Sequence, residues 1–286
     1  MRAILMVNSE CNMKCNHCYL PYSGSRNPKD ALTAVNQLQD NGHSVVIAGS
    51  ETLLDPEYLE AYAATGQKHL LTNGVLLDRD RSLYVLLSQH GIERLILSIH
   101  FGIQKDLNSV PESLVARVIR ESKRRGFGIQ ITATITSGNY QKIYSMCEQA
   151  AEYGVEAIEF NRFVQIGKGN QISSSSLRPY QVNAVFDGII KARRKFSESD
   201  LEIRVHGNFG PRPGSKGERL AQQNTYCPAG ILMVAIDPQN RIYGCPFSMR
   251  PGCNIGRYED GQILIDRDLL EGKRDTCITH ILDGRE

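Results

Sequence analysis

The chain lacks an excess of charge of either sign, a long hydrophobic run and the apolar core of a signal peptide. Lys plus Arg number 33 and Asp plus Glu 31 in 286 residues, a balance that argues against a protein devoted to gripping nucleic acid. The longest purely apolar run, Ile231 to Ile236, is too short to cross a bilayer. The N-terminus meets Asn8, Ser9 and Glu10 before a signal core is complete. We therefore expect a cytoplasmic protein without a membrane or nucleic-acid partner.

The cysteine content needs an explanation, because the chain carries eight. Apolar residues at 41% and charged residues at 22% are typical of a globular protein. A disulfide-stapled secreted domain would be shorter and would carry a signal peptide. Three cysteines crowd into residues 11–18 and four more lie between residues 227 and 277. Clustered thiols in a reducing compartment indicate metal binding.

Strand-like and helix-like segments alternate through the first 200 residues. The strand-like segments, rich in Ile, Val and Leu, are Ala3–Asn8, Ser44–Ala48, His69–Thr72, Arg94–Ile99, Gly128–Ile135 and Val155–Phe163. Helical patterns lie between them, several with a proline near the start and a glycine at the end. This alternation predicts parallel β/α units, and six of them predict a partial (β/α)6 barrel of TIM type rather than eight-fold closure.

After about residue 200 the pattern changes. Ile231–Ile236 and Arg241–Tyr243 flank a turn sequence and predict a β-hairpin. This C-terminal segment is too small to build its own core, so we expect a metal cluster to hold it. We therefore divide the chain into an α/β barrel, residues 1–200, and a small module of hairpin and helix, residues 201–286.

Three cysteines follow the first strand with C-x3-C-x2-C spacing: Cys11, Cys15 and Cys18. Barrel folds place their chemistry at this end of the strands. Three thiolates on one short loop can hold three irons of a [4Fe–4S] cluster and leave the fourth iron free, whereas ferredoxins use four thiolates. Zinc requires a fourth ligand, and His17 lies too close in sequence to its neighbours for tetrahedral geometry. The loop therefore predicts a cluster with one open iron.

This loop resembles that of the radical S-adenosylmethionine (SAM) superfamily. In that family the open iron binds the amino and carboxylate groups of SAM, and an electron from the cluster cleaves the sulfonium to give a 5′-deoxyadenosyl radical. The resemblance places His17, where the family usually has an aromatic residue, over the adenine. It covers residues 3–200 in overall pattern, and the cysteine loop is its specific part.

Other positions match the family in order along the strand ends. Gly49, Ser50 and Glu51 resemble the G-G-E-P turn, with Ser50 in place of the second glycine. The resemblance implies that this turn, and the Glu51 carboxylate above all, receives the methionine ammonium. It also implies that Ser98 and Arg162 contact the SAM carboxylate and that Asn139 faces the ribose, with a helix cap as the alternative for Asn139.

The C-terminal cysteines resemble the auxiliary-cluster region of the SPASM/twitch subgroup, in its shorter form with one extra [4Fe–4S] cluster. Cys227 and Cys245 bracket the hairpin as its first two ligands would, and Cys277 falls where a closing C-x-x-C is expected. The fourth ligand stays open between His280, Cys253 and an unfilled site. A structural zinc knuckle is the alternative for this region.

Cys253 stands before Asn254-Ile255-Gly256, where the subgroup commonly carries glycine. It is either a cluster ligand or a free thiol near the radical site. Free thiols are good hydrogen-atom donors to carbon radicals, and some epimerases of this subgroup use one in that way. Cys147, in contrast, is expected to be an inert core thiol.

These features predict a twitch-type radical SAM enzyme that abstracts a hydrogen atom from an unactivated C–H bond. Because the first strand begins at once, we expect no leader-peptide domain and favour a small polar substrate of the amino sugar or aminocyclitol type. Quenching by Cys253 predicts epimerisation, whereas loss of an electron to the auxiliary cluster would give dehydrogenation. An external reductant such as flavodoxin or ferredoxin is the expected protein partner.

Three alternatives stay open. A peptide-modifying enzyme is the other substrate class. An iron–sulfur electron-transfer protein is the non-enzymatic alternative, and it would need neither Glu51 nor Arg162 at the strand ends. A zinc-ribbon binding module is the third, and it would show zinc without the absorbance of iron–sulfur clusters.

Overall fold

Parallel strands form the centre of the fold, and helices pack against them. The computed structural model describes residues 1–20, 24–210 and 229–274, with side chains to residue 270. The strands are β1 Arg2–Met6, β2 Ser44–Ala48, β3 His69–Thr72, β4 Arg94–Ser98, β5 Gly128–Ile135, β6 Ala157–Arg162, β7 Glu202–Val205, β8 Met233–Ile236, β9 Arg241–Tyr243, β10 Gly256–Glu259 and β11 Gln262–Ile265. The helices are α1 Pro28–Asp40, α2 Tyr58–Thr65, α3 Val75–Arg79, α4 Leu83–Gln89, α5 Glu112–Arg124, α6 Ile143–Glu152, α7 Pro179–Lys195 and α8 Arg267–Arg274.

The strands form two hydrogen-bonded sheets, called ladders below, one of five strands and one of six. One is wholly parallel, in the order β3-β4-β5-β6-β7. The other runs β11-β10-β9-β8-β1-β2, with β1 parallel to both β2 and β8 and the C-terminal strands antiparallel to one another. Because β1 to β6 run in the same direction within their ladders, the loops that follow them can form one site.

The side chain of Gln67 joins the two ladders between β2 and β3, which the described backbone hydrogen bonds leave unpaired. The Gln67 amide oxygen accepts the backbone N–H of Ile47 at 2.9 Å, and its Nε2 donates to the carbonyls of Ile47 at 3.3 Å and His69 at 2.9 Å. Gln67 thus supplies between β2 and β3 the hydrogen bonds that a ladder would supply. The curled sheet continues across this point.

Strand alternation and helix amphipathicity produce one main core. Ala3 and Leu5 of β1 are wholly buried, as the period of two in a strand requires. Helix α7 buries Val185 and Ile189, four residues apart on one face. The C-terminal strands add to this arrangement, because Tyr243 of β9 packs in a small cluster with Met6 of β1.

The partial barrel with a C-terminal β module is confirmed by this architecture and by the comparisons below. Beyond the six expected strands, β7 pairs in parallel with β6 and extends the barrel ladder to Val205. The division of the chain near residue 200 stays a prediction. Among the described helices, none has the length and apolar composition to traverse a bilayer.

Candidate active site

The cysteine loop follows β1 and is held by the segment that follows β4. The backbone N–H of Asn16 donates to the Leu107 carbonyl at 2.8 Å, and its side chain donates to the Asp106 carbonyl at 3.0 Å. In return, the Asn108 side chain donates to the Lys14 carbonyl at 2.9 Å. These contacts fix the backbone on both sides of the second cysteine, Cys15. Sequence reasoning missed them because the partners lie about ninety residues apart.

A second segment, Gly167-Lys168, packs against the C-terminal end of the cysteine loop. The Lys168 N–H donates to the Cys18 carbonyl at 2.9 Å. Gly167 has a φ of +57°, and a Cβ there would lie 2.7 Å from the same carbonyl oxygen. Only glycine allows this approach, so the sequence Gly167-Lys168 after β6 is fitted to the cysteine loop.

Burial and the neighbouring thiols disfavour the ionisation of Cys11 and Cys15. Burial raises the pKa of the Cys15 thiol to about 11, and the neighbouring Cys11 and Cys18 add to the rise. Burial also raises the pKa of Cys11. Since the thiolate is the form that binds metal, a nearby cation would favour the ionisation of Cys11 and Cys15. Iron would supply that charge.

A single metal ion and a [4Fe–4S] cluster place different demands on the positions of the three sulfurs. Within the described part of the chain, no three His, Cys, Asp or Glu side chains converge as one metal ion requires. In a [4Fe–4S] cluster each thiolate binds a different iron, so the sulfurs need not share a point. The Cys11 sulfur also accepts the Met13 N–H at 3.4 Å and the Asn73 side-chain N–H at 3.7 Å, as sulfurs of cluster ligands do.

The turn after β2 is closely packed. The N–H of Ser50 donates to both the carbonyl and the side-chain oxygen of Asn8, at 3.1 and 3.0 Å. A Cβ at Gly49 would lie 2.5 Å from that side-chain oxygen, so this position requires glycine. Asn8, 2% exposed, was not singled out from the sequence, because its role appears only once β1 and β2 are paired.

Glu51 is fully buried at the end of this turn. Its carboxylate accepts from the Thr72 hydroxyl at 3.0 Å, the Asn73 N–H at 2.9 Å and the Leu53 N–H at 3.4 Å. Burial raises the pKa of Glu51 to about 7, although these donors oppose the rise. The carboxylate therefore braces the ends of β2 and β3, and its contact with a methionine ammonium stays a prediction.

His17 and His100 meet edge to face, with ring centroids 4.4 Å apart. Burial lowers the pKa of His17 to about 4 and that of His100 well below its ordinary value. Nδ1 of His100 accepts the Thr134 N–H at 3.1 Å, so in the neutral ring Nε2 carries the proton. Nε2 of His100 and Nδ1 of His17 are buried without a hydrogen-bond partner among the described residues. Two orphaned polar atoms beside the cysteines indicate room for a polar ligand.

The other predicted SAM contacts also lie at strand ends. Ser98 is the last residue of β4 and is half-buried. Asn139 is 1% exposed, and its amide holds the turn after β5 by accepting the Thr136 N–H at 2.8 Å and donating to the Thr134 carbonyl at 3.1 Å. Asn139 stands at the N-cap position of the 3₁₀ turn Tyr140–Lys142, but its side chain makes no cap bond there. Whether Asn139 also faces the ribose stays a prediction.

Arg162 is the last residue of β6 and only 4% exposed. Its backbone exchanges two hydrogen bonds with the Asn208 side chain, at 3.1 and 2.8 Å. Its guanidinium donates to the Phe209 carbonyl at 3.5 Å. The segment after β7 therefore fixes this buried cation at the same edge as the cysteine loop.

The C-terminal ligands are described only in part. Cys245 precedes the 3₁₀ turn Pro246–Ser248, and its sulfur accepts the Ser248 N–H. Cys253 is half-buried in the next turn, near the Tyr243 phenol. Cys227, Cys277 and His280 lie outside the described residues, so the ligand set of the auxiliary cluster stays a prediction.

Tyr19 connects the two cysteine regions. Its pKa is raised by burial and by the neighbouring Cys18 and Cys245 thiols. Its ring lies 4.9 Å from that of Phe247, two residues after Cys245. The first cysteine loop and the C-terminal module thus meet through packed aromatic side chains.

Comparison with known proteins identifies this arrangement. No family model matches the chain. The mycofactocin maturase MftC of Mycobacterium tuberculosis is 24% identical over 259 residues, which cover 84% of this chain and 62% of MftC. AlbA of Bacillus subtilis, an antilisterial bacteriocin subtilosin biosynthesis protein, is 24% identical over 262 residues, which cover 86% of this chain and 54% of AlbA.

Solved structures share the fold. Streptococcus suis SuiB bound to the precursor peptide SuiA superposes with a TM-score of 0.71 at 16% identity, over 99% of this chain and 66% of SuiB. SuiB bound to SAM gives a TM-score of 0.68. This chain spans between about half and two thirds of the length of MftC, AlbA and SuiB.

The fold, the cysteine loop and these relatives support a radical SAM enzyme. Within that superfamily the relatives support the SPASM/twitch subgroup. The cofactors of such an enzyme are SAM and two [4Fe–4S] clusters. The described residues fit them, because Cys11, Cys15 and Cys18 lie on one loop and the two histidines leave polar atoms unsatisfied beside it.

Proposed function

We propose that this enzyme abstracts a hydrogen atom from a residue of a peptide substrate. One observation carries the proposal: MftC is named a maturase, AlbA belongs to bacteriocin biosynthesis and SuiB is bound to a precursor peptide. The small polar substrate that the sequence favours finds no support in these relatives. The peptide alternative therefore replaces it.

The chain's residues suit the handling of SAM and its cluster. In this proposal Cys11, Cys15 and Cys18 hold one cluster, and bound SAM supplies the radical that abstracts hydrogen. Gly49 and Ser50 offer closely packed backbone at the strand end. The buried Arg162 guanidinium offers positive charge for a carboxylate, with Ser98 at the end of β4 and Asn139 in the turn after β5.

His17 and His100 add two uncharged rings to this site. Both rings stay neutral at physiological pH, because burial lowers their pKa values. His17 is then available to contact the adenine without placing a second positive charge near the sulfonium. An external reductant such as flavodoxin or ferredoxin supplies the electron, and a cytoplasmic location stays a prediction.

The proposal can be tested by reconstitution without oxygen. We expect about eight irons per wild-type chain and about half of that after Cys11, Cys15 and Cys18 are all replaced by Ala, since one cluster is lost. The variant should form no 5′-deoxyadenosine from SAM and dithionite. Cys147→Ala is the control, because this thiol lies in the core of α6 and should leave iron and cleavage unchanged.

The substrate class is tested with the same assay. Synthetic peptides translated from short reading frames beside the gene should stimulate 5′-deoxyadenosine formation and change in mass or stereochemistry, whereas aminocyclitols and amino sugars should not. Turnover of an aminocyclitol without turnover of any peptide would overturn the peptide assignment. A triple cysteine variant that still cleaves SAM would overturn the radical site itself.

Within this proposal Cys253 returns the hydrogen and the product is an epimer. An S–H bond is weaker than most C–H bonds, so hydrogen transfer from Cys253 to a carbon radical is downhill. The auxiliary cluster would supply the electron, and solvent the proton, that restore the Cys253 thiol. If that cluster instead accepted an electron from the carbon radical and the substrate lost a proton, the outcome would be dehydrogenation.

Cys253→Ala distinguishes these outcomes. We expect both clusters to remain, 5′-deoxyadenosine still to form with substrate, and inverted product to be lost. In heavy water the wild type should place one deuterium at the inverted carbon, because thiol protons exchange with solvent. Loss of auxiliary iron in Cys253→Ala would make the residue a ligand, and a product two mass units lighter would favour dehydrogenation. Cys147→Ala again serves as the matched thiol control.

A further inference from the structure

The side chain of Asn73 links the turn after β3 to the first cysteine of the loop. Its Nδ2 lies 3.7 Å from the Cys11 sulfur and 2.7 Å from the Asn12 side-chain oxygen. Its backbone N–H donates to the Glu51 carboxylate at 2.9 Å. In the sequence, Thr72-Asn73-Gly74 resembles a sequence common in the family at this strand end, although most Asn-Gly pairs are merely turns. The structure gives it a contact with a cluster ligand.

The orientation of the Asn73 amide is fixed by its other contacts. Its Oδ1 accepts the Val75 N–H at 2.9 Å, at the start of α3. A flipped amide would place the NH2 group against that N–H and would lose the bond to Asn12. The NH2 group therefore faces the cysteine loop, and Cys11 receives a donor rather than a lone pair.

The surroundings hold this donor in place. The buried Glu51 carboxylate fixes the backbone of Asn73, and the Thr72 hydroxyl, which contacts the same carboxylate, accepts the Gly74 N–H at 3.1 Å. Gly74 has a φ of +81°, which turns the chain away immediately after Asn73. The amide thus approaches Cys11 from a rigid strand end rather than from a mobile loop.

We propose that Asn73 is a positioning residue that raises the reduction potential of the cluster held by Cys11, Cys15 and Cys18. Reduction adds one electron to the cluster and its sulfur ligands, and no bond forms or breaks. An N–H dipole aimed at a ligand sulfur stabilises the more negative state. The inference rests on the proposed function, since it requires the cluster at this loop.

Two substitutions separate the donor to Cys11 from the hydrogen bond that the Asn73 oxygen accepts from the Val75 N–H. Asn73→Ser keeps an oxygen that can accept the Val75 N–H but is too short to reach Cys11. Asn73→Asp also keeps that acceptor and replaces the donor by a negative oxygen. Asn27→Asp is the matched control, because Asn27 caps α1 by accepting the Lys29 N–H at 2.9 Å and is exposed.

The measurement is a potentiometric titration of the reconstituted proteins with dithionite and mediators, followed by electron paramagnetic resonance. At a fixed solution potential we expect the ratio of reduced to oxidised cluster to fall about tenfold in Asn73→Ser, which corresponds to about 59 mV for one electron. The ratio should fall further in Asn73→Asp, because the new carboxylate repels the added electron. In Asn27→Asp the ratio should match that of the wild type. Iron content is measured on each sample.

A second measurement needs no variant. In the reduced wild type with ¹⁵N in the asparagine side chains, the cluster spin should couple to an amide nitrogen, and a wild type with no such coupling would overturn the inference. Unchanged potentials in both Asn73 variants would also overturn it. A wild type that binds no cluster would instead refute the proposed function, so the two failures are distinguishable.

Discussion

Glu51 shows how one buried carboxylate organises several parts of the site. It is 0% exposed, yet its donors are a hydroxyl and backbone N–H groups rather than a cation. Desolvation therefore dominates, and the pKa is raised to about 7 from an ordinary 4.5. The sequence indicated a carboxylate at this turn, but its burial could not be predicted, because it depends on the pairing of β2 with β1 and on the approach of β3.

This burial predicts a pH dependence of stability. A carboxyl whose pKa is raised in the folded state contributes stability that is complete below pH 4.5 and is lost as the pH rises through 7. The loss amounts to about 3 kcal/mol. Glu51→Gln should abolish this part of the profile, so thermal unfolding of the variant should depend less on pH across that window.

Glu121→Gln is the control with the opposite sign. Arg124 and Arg125 hold the pKa of Glu121 at about 2, so its contribution is present above pH 4.5 and is lost as the pH falls towards 2. Between pH 4.5 and 7 this variant should therefore follow the wild-type slope. Parallel profiles for wild type and Glu51→Gln would show that the Glu51 carboxyl titrates normally.

At the scale of elements, the local sequence pattern was enough to predict the bounds of several strands. The bounds of β2, β3, β5 and β9 were predicted as found, because short runs of branched apolar residues end at polar or turn residues. Helix α3 was missed, since it has only five residues after Gly74. The hairpin β10–β11 was also missed, because its strands are largely exposed and carry few buried apolar residues.

Pairing between distant elements was beyond the sequence argument. Nothing in β1 signals that its second neighbour is β8, more than two hundred residues away. The same limit applies to Gln67, whose amide replaces a backbone ladder between β2 and β3. For the site, the positions at strand ends could be named from motif spacing. The contacts of Asn73, Asn8 and Asn16 could not, because each partner comes from another element.

At the scale of the whole molecule, Arg26 ties the barrel to the C-terminal strands. Its guanidinium donates to the Asp237 carbonyl at 2.9 Å and to the Asn240 side chain at 2.8 Å, in the turn between β8 and β9. Its carbonyl accepts from the Tyr58 hydroxyl of α2, and its N–H donates to the Val7 carbonyl at 2.7 Å. At 8% exposure this arginine is a buried junction of three segments.

Arg26→Ala should therefore weaken the attachment of the C-terminal module. Removing this buried charged donor leaves the Asp237 carbonyl with only the Asn240 N–H at 3.0 Å and takes a donor from the Asn240 side chain, which should cost about 1.5–3 kcal/mol. Because β9 leads directly to Cys245, we expect faster amide exchange in β8 and β9 and loss of auxiliary iron, with the iron of the first cysteine loop retained. Hydrogen exchange and iron analysis of the reconstituted protein measure the two effects.

Arg117→Ala is the matched control for this arginine. Arg117 pairs with Asp78 at 2.8 Å, but its side chain is 51% exposed, so water replaces the lost partner. Its loss should cost less than about 1 kcal/mol and change neither exchange in β8 and β9 nor iron content. Equal effects of the two substitutions would mean that Arg26 is no more than a surface charge. A uniform loss of both clusters in Arg26→Ala would mean that the barrel and the C-terminal strands unfold as one unit. Retention of auxiliary iron together with faster exchange would place the ligands of that cluster outside the region that Arg26 stabilises.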